Sequence, residues 1–142
     1  MAVVRIAHTI WEGDVPTGKG VITFDSSGIP DQPVTWASRS QEANGKTSPE
    51  ELIAAAHTGC YSMALANGLA RAGHPPTRLR TTAEVGFSPR DGITGIALTV
   101  VGAVPGLGEA EFVELAEDAK ANCPVSQALK AVPITLKATL EA

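Results

Sequence analysis

The sequence predicts an α+β fold in which an antiparallel sheet packs against one long, buried central helix. Short β-prone runs precede, separate and follow the helical segments, an order typical of α+β proteins rather than of alternating α/β proteins. The longest helical segment carries no charge between Glu51 and Arg71. Because this segment is apolar on more than one face, we expect it to be buried on several sides.

The first third of the chain consists of short strands and turns. Three β-prone runs cover residues 3–11, 20–25 and 33–37, and turn residues that include glycine separate them. This spacing predicts an antiparallel meander with hairpin connections. The polar, glycine-containing stretch 41–46 is predicted to be a loop.

The long helix has a start signal and an end signal. Ser48 is a candidate N-cap, Pro49 suits the first helical position, and Glu51 completes a capping box with Ser48. Gly73 and the two prolines that follow it end the helix after about residue 72. This is the strongest local pattern in the chain.

The second half of the chain alternates strands with two shorter helices. No repeat, linker or low-complexity tract interrupts it, so we predict a single domain over residues 1–142. The predicted segments are strands at 78–87 and 93–104, a helix after Pro105-Gly106 ending near 121, a break at 122–124, a short helix to about 130 and a strand at 134–140.

Composition and charge restrict the partners. The chain is 44% hydrophobic and 18% charged, with a net charge of -4 and a pI near 5.3. The acidic balance and the 4% aromatic content argue against a nucleic-acid partner, which requires clustered cations or stacking platforms. No apolar run reaches the roughly 20 residues of a membrane span, and the N-terminus lacks the pattern of a signal peptide. We therefore expect a cytoplasmic protein without a membrane partner.

Cys60 and Cys123 are the residues best suited to chemistry. Cysteines in a reducing cytosol are more often catalytic, redox-active or simply buried than paired in structural disulfides. Cys60 lies in the middle of the long helix, where a lone cysteine is most often a small core residue. Cys123 precedes the helix that Pro124 opens, and N–H groups at a helix N-terminus favour a thiolate. From these residues alone we predict an α+β domain with two thiols that are either redox-active or simply buried.

Metal and hydrolase chemistry have weaker support. His57 and Cys60 are three residues apart on one helical face, but a structural zinc site needs four ligands. We therefore predict neither a metal nor a cofactor. Ser126 lacks the Gly-x-Ser-x-Gly elbow of a serine hydrolase. We interpret His57 as a packed helix residue rather than as a base.

Two long segments each contain one of the cysteines: TSPEELIAAAHTGCYSMAL at 47–65 and ANCPVSQAL at 121–129. Both are similar to the signature of the OsmC/Ohr family, the osmotically inducible and organic-hydroperoxide-resistance proteins. The segments Trp11-Glu12-Gly13-Asp14, Gly18-Lys19-Gly20 and Val104-Pro105-Gly106 resemble the OsmC branch. The similarity runs in order along essentially the whole chain.

The resemblance implies an OsmC-like fold, an intertwined homodimer and thiol-dependent reduction of organic hydroperoxides to alcohols. It assigns Cys60 as the peroxidatic cysteine that becomes a sulfenic acid, and Cys123 as the cysteine that resolves it into a Cys60–Cys123 disulfide. It also assigns Arg39 to stabilise the thiolate and Glu50 to hold the guanidinium. A dithiol reductant, of which the lipoyl type is one candidate, would restore the thiols. The implied setting is the response to oxidative and osmotic stress.

The spacing within the long helix raises the question of which chain completes the site. Glu50 and Cys60 are ten residues apart, about 15 Å along a helix axis and on different faces. A compact cluster of cysteine, arginine and glutamate is therefore hard to build on one straight helix. We expect a partner chain to bring its own Glu50, together with Arg39, to Cys60, although action within one chain stays open.

Two alternatives to the peroxidase remain. One is a thiol-based redox sensor that passes oxidation to a partner, and the other is a non-catalytic ligand-binding module on the same fold. Gly59 and Tyr61 flank Cys60 where the family pattern leads us to expect a small residue and Phe. The aromatic change affects substrate preference rather than the chemistry.

Overall fold

The structure, a computed structural model, describes residues 1–142 as six strands and four helices. The α+β class is confirmed, although the strands form two three-stranded sheets rather than one. The chain divides into two compact units, an N-terminal unit of residues 1–52 and a C-terminal unit of residues 53–142. The elements are β1 (His8–Glu12), β2 (Lys19–Thr23), β3 (Gln32–Val34), α1 (Trp36–Ser40), α2 (Pro49–Arg71), β4 (Arg78–Ser88), β5 (Gly92–Ala103), α3 (Glu109–Asn122), α4 (Pro124–Ala128) and β6 (Ile134–Leu140).

The N-terminal sheet is the predicted antiparallel meander. β1 pairs with β2 from His8–Thr23 to Glu12–Lys19, and β2 pairs in turn with β3. The first strand is shorter than the predicted run 3–11, because pairing begins only at His8. The predicted loop at 41–46 contains no helix or strand.

The predicted third strand, residues 33–37, extends beyond the observed end of β3, because a short helix begins inside the predicted range. The hydroxyl of Thr35 accepts a hydrogen bond from the N–H of Ser38, and the hydroxyl of Ser38 accepts one from the N–H of Thr35, each at 3.0 Å. This reciprocal capping box starts α1 immediately after β3. The usual Glu or Gln at the third helical position is replaced by Ser38, so the start signal was missed.

The start of α2 is partly as predicted. The hydroxyl of Ser48 accepts a hydrogen bond from the N–H of Glu51 at 3.1 Å. The carboxylate of Glu51 does not complete the capping box with the N–H of Ser48. It accepts a hydrogen bond from the hydroxyl of Thr47 at 2.7 Å instead. The helix ends at Arg71, just before Gly73, whose φ of 89° is a conformation that glycine adopts readily.

Within the C-terminal unit, α2 buries one stripe rather than several faces. Its fully buried residues recur every fourth position and therefore share one side of the helix: His57, Tyr61, Leu65 and Leu69. Met63 on the same helix is 74% exposed. The expectation of burial on several sides is therefore wrong for the single chain.

The C-terminal sheet contains one parallel pairing. β4 and β5 form the predicted antiparallel pair, but β6 runs parallel to β5, from Ile96–Ile134 to Gly102–Leu140. The prediction of a purely antiparallel sheet is wrong here. The connection from β5 to β6 passes through α3 and α4, and a crossover of that length lets the chain return in the same direction.

The core of the C-terminal unit lies between this sheet, α2 and α3. Alternate residues of β5 face it, and each fully buried aliphatic side chain contributes about 1.5–3 kcal/mol. Gly102 lies so close to Phe112 that an added Cβ would be 2.8 Å from the ring. Besides the α2 stripe, the core includes Ile96, Leu98, Val100, Phe112, Ala116 and Cys123.

Candidate functional site

The two cysteines lie side by side in the C-terminal unit. Cys60 comes from the middle of α2, and Cys123 occupies the junction at which α3 ends and α4 begins. Their sulfur atoms are 3.1 Å apart and both thiols are free. Because a disulfide requires a sulfur–sulfur distance of about 2.05 Å, only a small approach separates this pair from a covalent bond.

Exposure distinguishes the two thiols. Cys123 is fully buried, whereas Cys60 is partly exposed and lines a cavity of about 610 Å³. A molecule that enters the cavity therefore reaches the sulfur of Cys60 first. The other residues that line the cavity are Met63, Ala64, Asn67, Gly68, Arg71, Leu115, Asp118, Ala119, Asn122 and Pro124.

The surroundings shift the two thiol pKa values in opposite directions. Burial raises the pKa of Cys60, and the thiol of Cys123 raises it further. Burial also raises the pKa of Cys123, but interactions with the N–H and hydroxyl of Ser126, the side chain of Cys60 and the N–H of Val125 outweigh it and lower that pKa. The helix N-terminus at α4 thus favours a thiolate at Cys123. Burial disfavours a thiolate at Cys60, and a nearby positive charge would favour it.

Arg39 and Glu50 form a bidentate ion pair within the N-terminal unit. The Nε of Arg39 donates to Oε1 of Glu50 at 3.0 Å, and its Nη2 donates to Oε2 at 3.0 Å. The side chain of Glu50 is 7% exposed and that of Arg39 is 31% exposed. The hydroxyl of Ser38 donates to the carbonyl of Thr47 at 2.8 Å and so ties α1 to the residues that precede α2. The guanidinium is therefore held in a fixed orientation.

A second cavity of about 430 Å³ lies in the N-terminal unit and is lined in part by Arg39. Most of its other lining atoms belong to apolar side chains of the meander and α1. They include Trp11, Val15, Ile22, Val34 and Trp36. An arginine at the edge of an apolar cavity suits a ligand with one polar and one apolar end.

His57 and Ser126 form a buried polar pair that the sequence analysis missed. His57 is fully buried, and its Nε2 lies 2.7 Å from the hydroxyl oxygen of Ser126. Its Nδ1 has no hydrogen-bond partner. The prediction that His57 is packed is consistent with this burial. The sequence positions of the two residues relate them to the cysteines, because His57 precedes Cys60 by one helical turn and Ser126 follows Cys123 by three residues.

Neither a metal cluster nor a membrane helix is present. No group of three or more His, Cys, Asp or Glu side chains is arranged to hold a metal ion. None of the helices combines the length and the apolar character needed to cross a membrane.

An α+β fold that holds two free thiols in contact beside an open cavity defines a dithiol redox protein. The family model described as OsmC-like protein matches residues 42–137, more than half of the chain. The chain belongs to the OsmC-like family, as the cysteine-containing segments predicted.

Curated relatives and solved structures agree with this assignment. The chain is 43% identical over 134 residues to Peroxiredoxin OsmC of Escherichia coli and to that of Shigella flexneri, covering 92% of this chain and 93% of each relative. It superposes on an organic hydroperoxide resistance protein OsmC from Legionella pneumophila with a TM-score of 0.72 and 22% identity, covering 100% and 99% of the two chains. An OsmC-like protein from Mycoplasma pneumoniae gives a TM-score of 0.73 at 18% identity, with 100% of both chains covered. These structural matches confirm the fold.

Proposed function

We propose that this protein is a thiol-dependent peroxidase that reduces organic hydroperoxides to alcohols. The contact between two free thiols, 3.1 Å apart with only Cys60 open to a cavity, carries this proposal. The 43% identity to proteins named peroxiredoxin supports it. A cavity lined by Met63, Ala64 and Leu115 suits the alkyl or aryl group of an organic peroxide.

The proposed cycle uses each thiol once. The Cys60 thiolate attacks one peroxide oxygen, the O–O bond breaks, and the departing alkoxide takes a proton to become the alcohol. Cys60 is then a sulfenic acid. The sulfur of Cys123 displaces its oxygen, which leaves as water, and the Cys60–Cys123 disulfide forms. A dithiol then reduces this bond by exchange and becomes a disulfide itself.

We assign the counter-charge of the Cys60 thiolate to Arg39. Burial raises the pKa of Cys60, so the reactive form requires a nearby cation. A guanidinium can donate to a carboxylate and a sulfur atom together, which a lysine cannot do with fixed geometry. The bidentate contact with Glu50 supplies that fixed orientation.

We further propose that the protein is a homodimer whose sites combine residues of both chains. The N-terminal unit buries only one hydrophobic residue, Val34, and leaves many large apolar side chains exposed. On α2, Met63 is also exposed. Such surfaces are usually covered by a partner. A second copy of this chain is the occupant we propose, because the ten-residue spacing of Glu50 and Cys60 already favours a shared site.

Steady-state turnover tests the peroxidase. With cumene hydroperoxide and excess dithiothreitol, the wild type should consume many equivalents of peroxide per chain. Cys60→Ser should abolish turnover, since no other nucleophile replaces it and each factor of ten in rate corresponds to about 1.4 kcal/mol of barrier. A sensor or a binding module would stop after one equivalent or bind without consumption, and activity of Cys60→Ser within about tenfold of wild type would remove the proposal.

Peroxide choice tests the substrate class. The cumene group should gain about 25 cal/mol for each Å² of apolar surface that the cavity buries, so kcat/KM should exceed that for hydrogen peroxide. Equal or higher kcat/KM for hydrogen peroxide would refute the organic preference. Comparing dihydrolipoamide with glutathione tests the proposed lipoyl-type reductant. We place this chemistry in the cytoplasm, where thiols are kept reduced.

Mixing two inactive variants tests the shared site. Cys60→Ser and Glu50→Ala are co-expressed, and heterodimers are verified by mass. If each site takes Cys60 from one chain and Glu50 from the other, a randomly assorted mixture should recover roughly a quarter of wild-type activity. A site contained in one chain recovers nothing, because every chain carries a lesion. Sedimentation as a monomer would refute the dimer itself.

A further inference from the structure

Two buried hydrogen bonds join α2 to α3 and α4 at residues that precede and follow Cys60. The hydroxyl of Tyr61 donates to the carbonyl oxygen of Ala116 in α3 at 2.9 Å. One turn earlier on α2, the Nε2 of His57 lies 2.7 Å from the hydroxyl oxygen of Ser126 in α4. Tyr61, Ala116 and His57 are fully buried, and Ser126 is 5% exposed. The proposed cycle uses none of these four residues.

Cys123 lies between the two elements that these bonds hold. It follows the last residue of α3 and precedes the first residue of α4. It also continues the buried face of α3, whose members recur every three or four positions. They are Phe112, Ala116, Ala119 and then Cys123. The two bonds therefore fix both helices that meet at Cys123 against the part of α2 that carries Cys60, whose sulfur is 3.1 Å from that of Cys123.

The helix is intrinsically weak at the reactive position, because Gly59 directly precedes Cys60 inside α2. Glycine is among the weakest helix formers. A Cβ added at Gly59 would meet no atom within 4 Å, so no contact within the chain requires glycine there. The bonded residues His57 and Tyr61 lie two positions before and two positions after Gly59. Their bonds thus support the backbone of α2 where its own propensity supports it least.

We propose that Tyr61 is a positioning residue of the thiol pair and that His57 supports it from the preceding turn of α2. Their two hydrogen bonds form a clamp that keeps the sulfur of Cys123 in contact with that of Cys60. Holding two reacting groups together raises the effective concentration of one at the other. The clamp therefore accelerates the step in which Cys123 displaces the oxygen of the Cys60 sulfenic acid. This catalytic consequence rests on the proposed peroxidase function, whereas the clamp itself does not.

The hydroxyl of Tyr61 makes the clamp specific for one position of α3. A buried tyrosine hydroxyl without a partner is costly, so it is satisfied only while the carbonyl of Ala116 stays within reach. That carbonyl can accept this bond in addition to one within the helix, because it has two lone pairs. Phenylalanine would fill the same core volume but would not resist a small shift of α3. The hydroxyl is therefore the group to remove.

Equilibration with glutathione tests the clamp without any peroxide. Glutathione disulfide oxidises the two thiols to the Cys60–Cys123 disulfide and becomes two molecules of glutathione, so the equilibrium ratio gives the effective concentration of one thiol at the other. Tyr61→Phe should lower this effective concentration about two- to tenfold, the range that one hydrogen bond supports. The reason is that the unclamped thiols separate in the reduced protein and must be brought together again. The ratio of variant to wild type should be the same at pH 7 and pH 8.5, because the thiols are displaced without a change in pKa.

The matched control is Ser62→Ala, which removes another hydroxyl from α2. The hydroxyl of Ser62 lies 2.8 Å from that of Thr81 in β4, so it joins α2 to the sheet rather than to the helices that meet at Cys123. Denaturant titration should show a loss of stability in both variants, but only Tyr61→Phe should lower the effective concentration. An unchanged effective concentration in Tyr61→Phe, an equal fall in both variants, or a ratio that changes with pH would overturn the proposal.

Half-reactions with one equivalent of cumene hydroperoxide test the clamp within the cycle. Tyr61→Phe should form the sulfenic acid on Cys60 at the wild-type rate but the disulfide about two- to tenfold more slowly. His57→Leu should slow disulfide formation similarly, and His57→Gln, whose amide can still bond to Ser126, should restore the rate. Equal slowing of both steps in Tyr61→Phe would identify a merely structural role and overturn the proposal. Equal rates in the Leu and Gln variants would overturn the part assigned to His57.

The two experiments separate the clamp from the peroxidase function. Absence of peroxide turnover in the wild type would refute the peroxidase. The glutathione equilibrium would still measure how firmly the clamp holds the two thiols together.

Discussion

The two three-stranded sheets differ in how much of their surface the chain itself covers. Every residue of β1 is exposed, whereas β5 buries alternate residues from Ile96 to Gly102. The N-terminal unit buries mainly polar groups, Ser38, Thr47 and Glu50, beside the single hydrophobic Val34. The C-terminal unit contains the hydrophobic core.

Because of this difference, we expect the two parts of the proposed site, the thiol pair and the Arg39–Glu50 ion pair, to depend differently on a partner chain. The thiols belong to a well-packed core, so one chain alone holds them in contact. The Arg39–Glu50 pair is held by hydrogen bonds in a unit with little core of its own. The thiol pair is therefore expected to persist in a monomer, whereas the role we propose for Arg39 is expected to require the proposed dimer.

Within this comparison of the two units, the largest expected effect comes from removing the guanidinium of the N-terminal unit. Arg39→Met should lower peroxidase activity roughly tenfold to a thousandfold, because loss of a nearby opposite charge shifts a pKa by about 1–3 and depletes the Cys60 thiolate. Steady-state kinetics measure this loss. The control is Arg78→Met, which removes another bidentate arginine, paired with Glu141 at 2.6 Å, and should keep activity near wild type. Equal losses in both variants would contradict the assignment of Arg39.

A large but purely structural effect is expected in the C-terminal core. Leu65→Ala should lower the free energy of unfolding by about 2–5 kcal/mol, since Leu65 is fully buried and its truncation leaves a cavity. Denaturant titration measures this loss. Val113→Ala on the exposed side of α3 should cost about 0.5 kcal/mol or less. Similar values for the two variants would show that the core does not lie where we describe it.

A smaller effect on the free energy of unfolding is expected from lowering the pH. Burial lowers the pKa of His57 in the folded state, so below about pH 6.5 the unfolded state binds more protons than the folded state. Stability contributed by neutral His57 should therefore fall as the pH drops below this value, by at most about 1.4 kcal/mol per pH unit. The measurement is the free energy of unfolding between pH 7 and 5. His57→Gln should flatten the curve, and an unchanged slope would contradict the account.

The smallest expected effect concerns assembly. If a second copy covers the N-terminal unit, the midpoint of thermal unfolding should rise by a few degrees for each tenfold increase in protein concentration. Calorimetry over two decades of concentration measures this shift. A midpoint independent of concentration, together with sedimentation as a monomer, would contradict the proposed dimer.

The sequence predicted most of the fold because its strongest signals are local. The start of α2 at Pro49, the hairpin at 89–92 and the break at Cys123 depend on neighbouring residues, and the structure contains all three. The parallel pairing of β6 was missed, because strand direction depends on the route of a long connection and not on the strand. Helix α1 was missed, because Ser38 replaces the usual Glu or Gln of a capping box.

The candidate site was predictable only in part. Family resemblance pointed to Cys60 and Cys123, and the 3.1 Å contact between them is consistent with that assignment. The pairing of His57 with Ser126 was not predicted, because the two residues are 69 positions apart and each has an ordinary local explanation. Long-range polar contacts of this kind leave no periodic pattern in a sequence.

We expect Cys60 and Cys123 to form one redox unit within a chain. Mass analysis and peptide mapping after one equivalent of cumene hydroperoxide test this pairing. The chain should have lost two hydrogens and contain a Cys60–Cys123 cross-link, whereas Cys123→Ser should retain an added oxygen on Cys60. Two free thiols after treatment, or a cross-link only between chains, would contradict it.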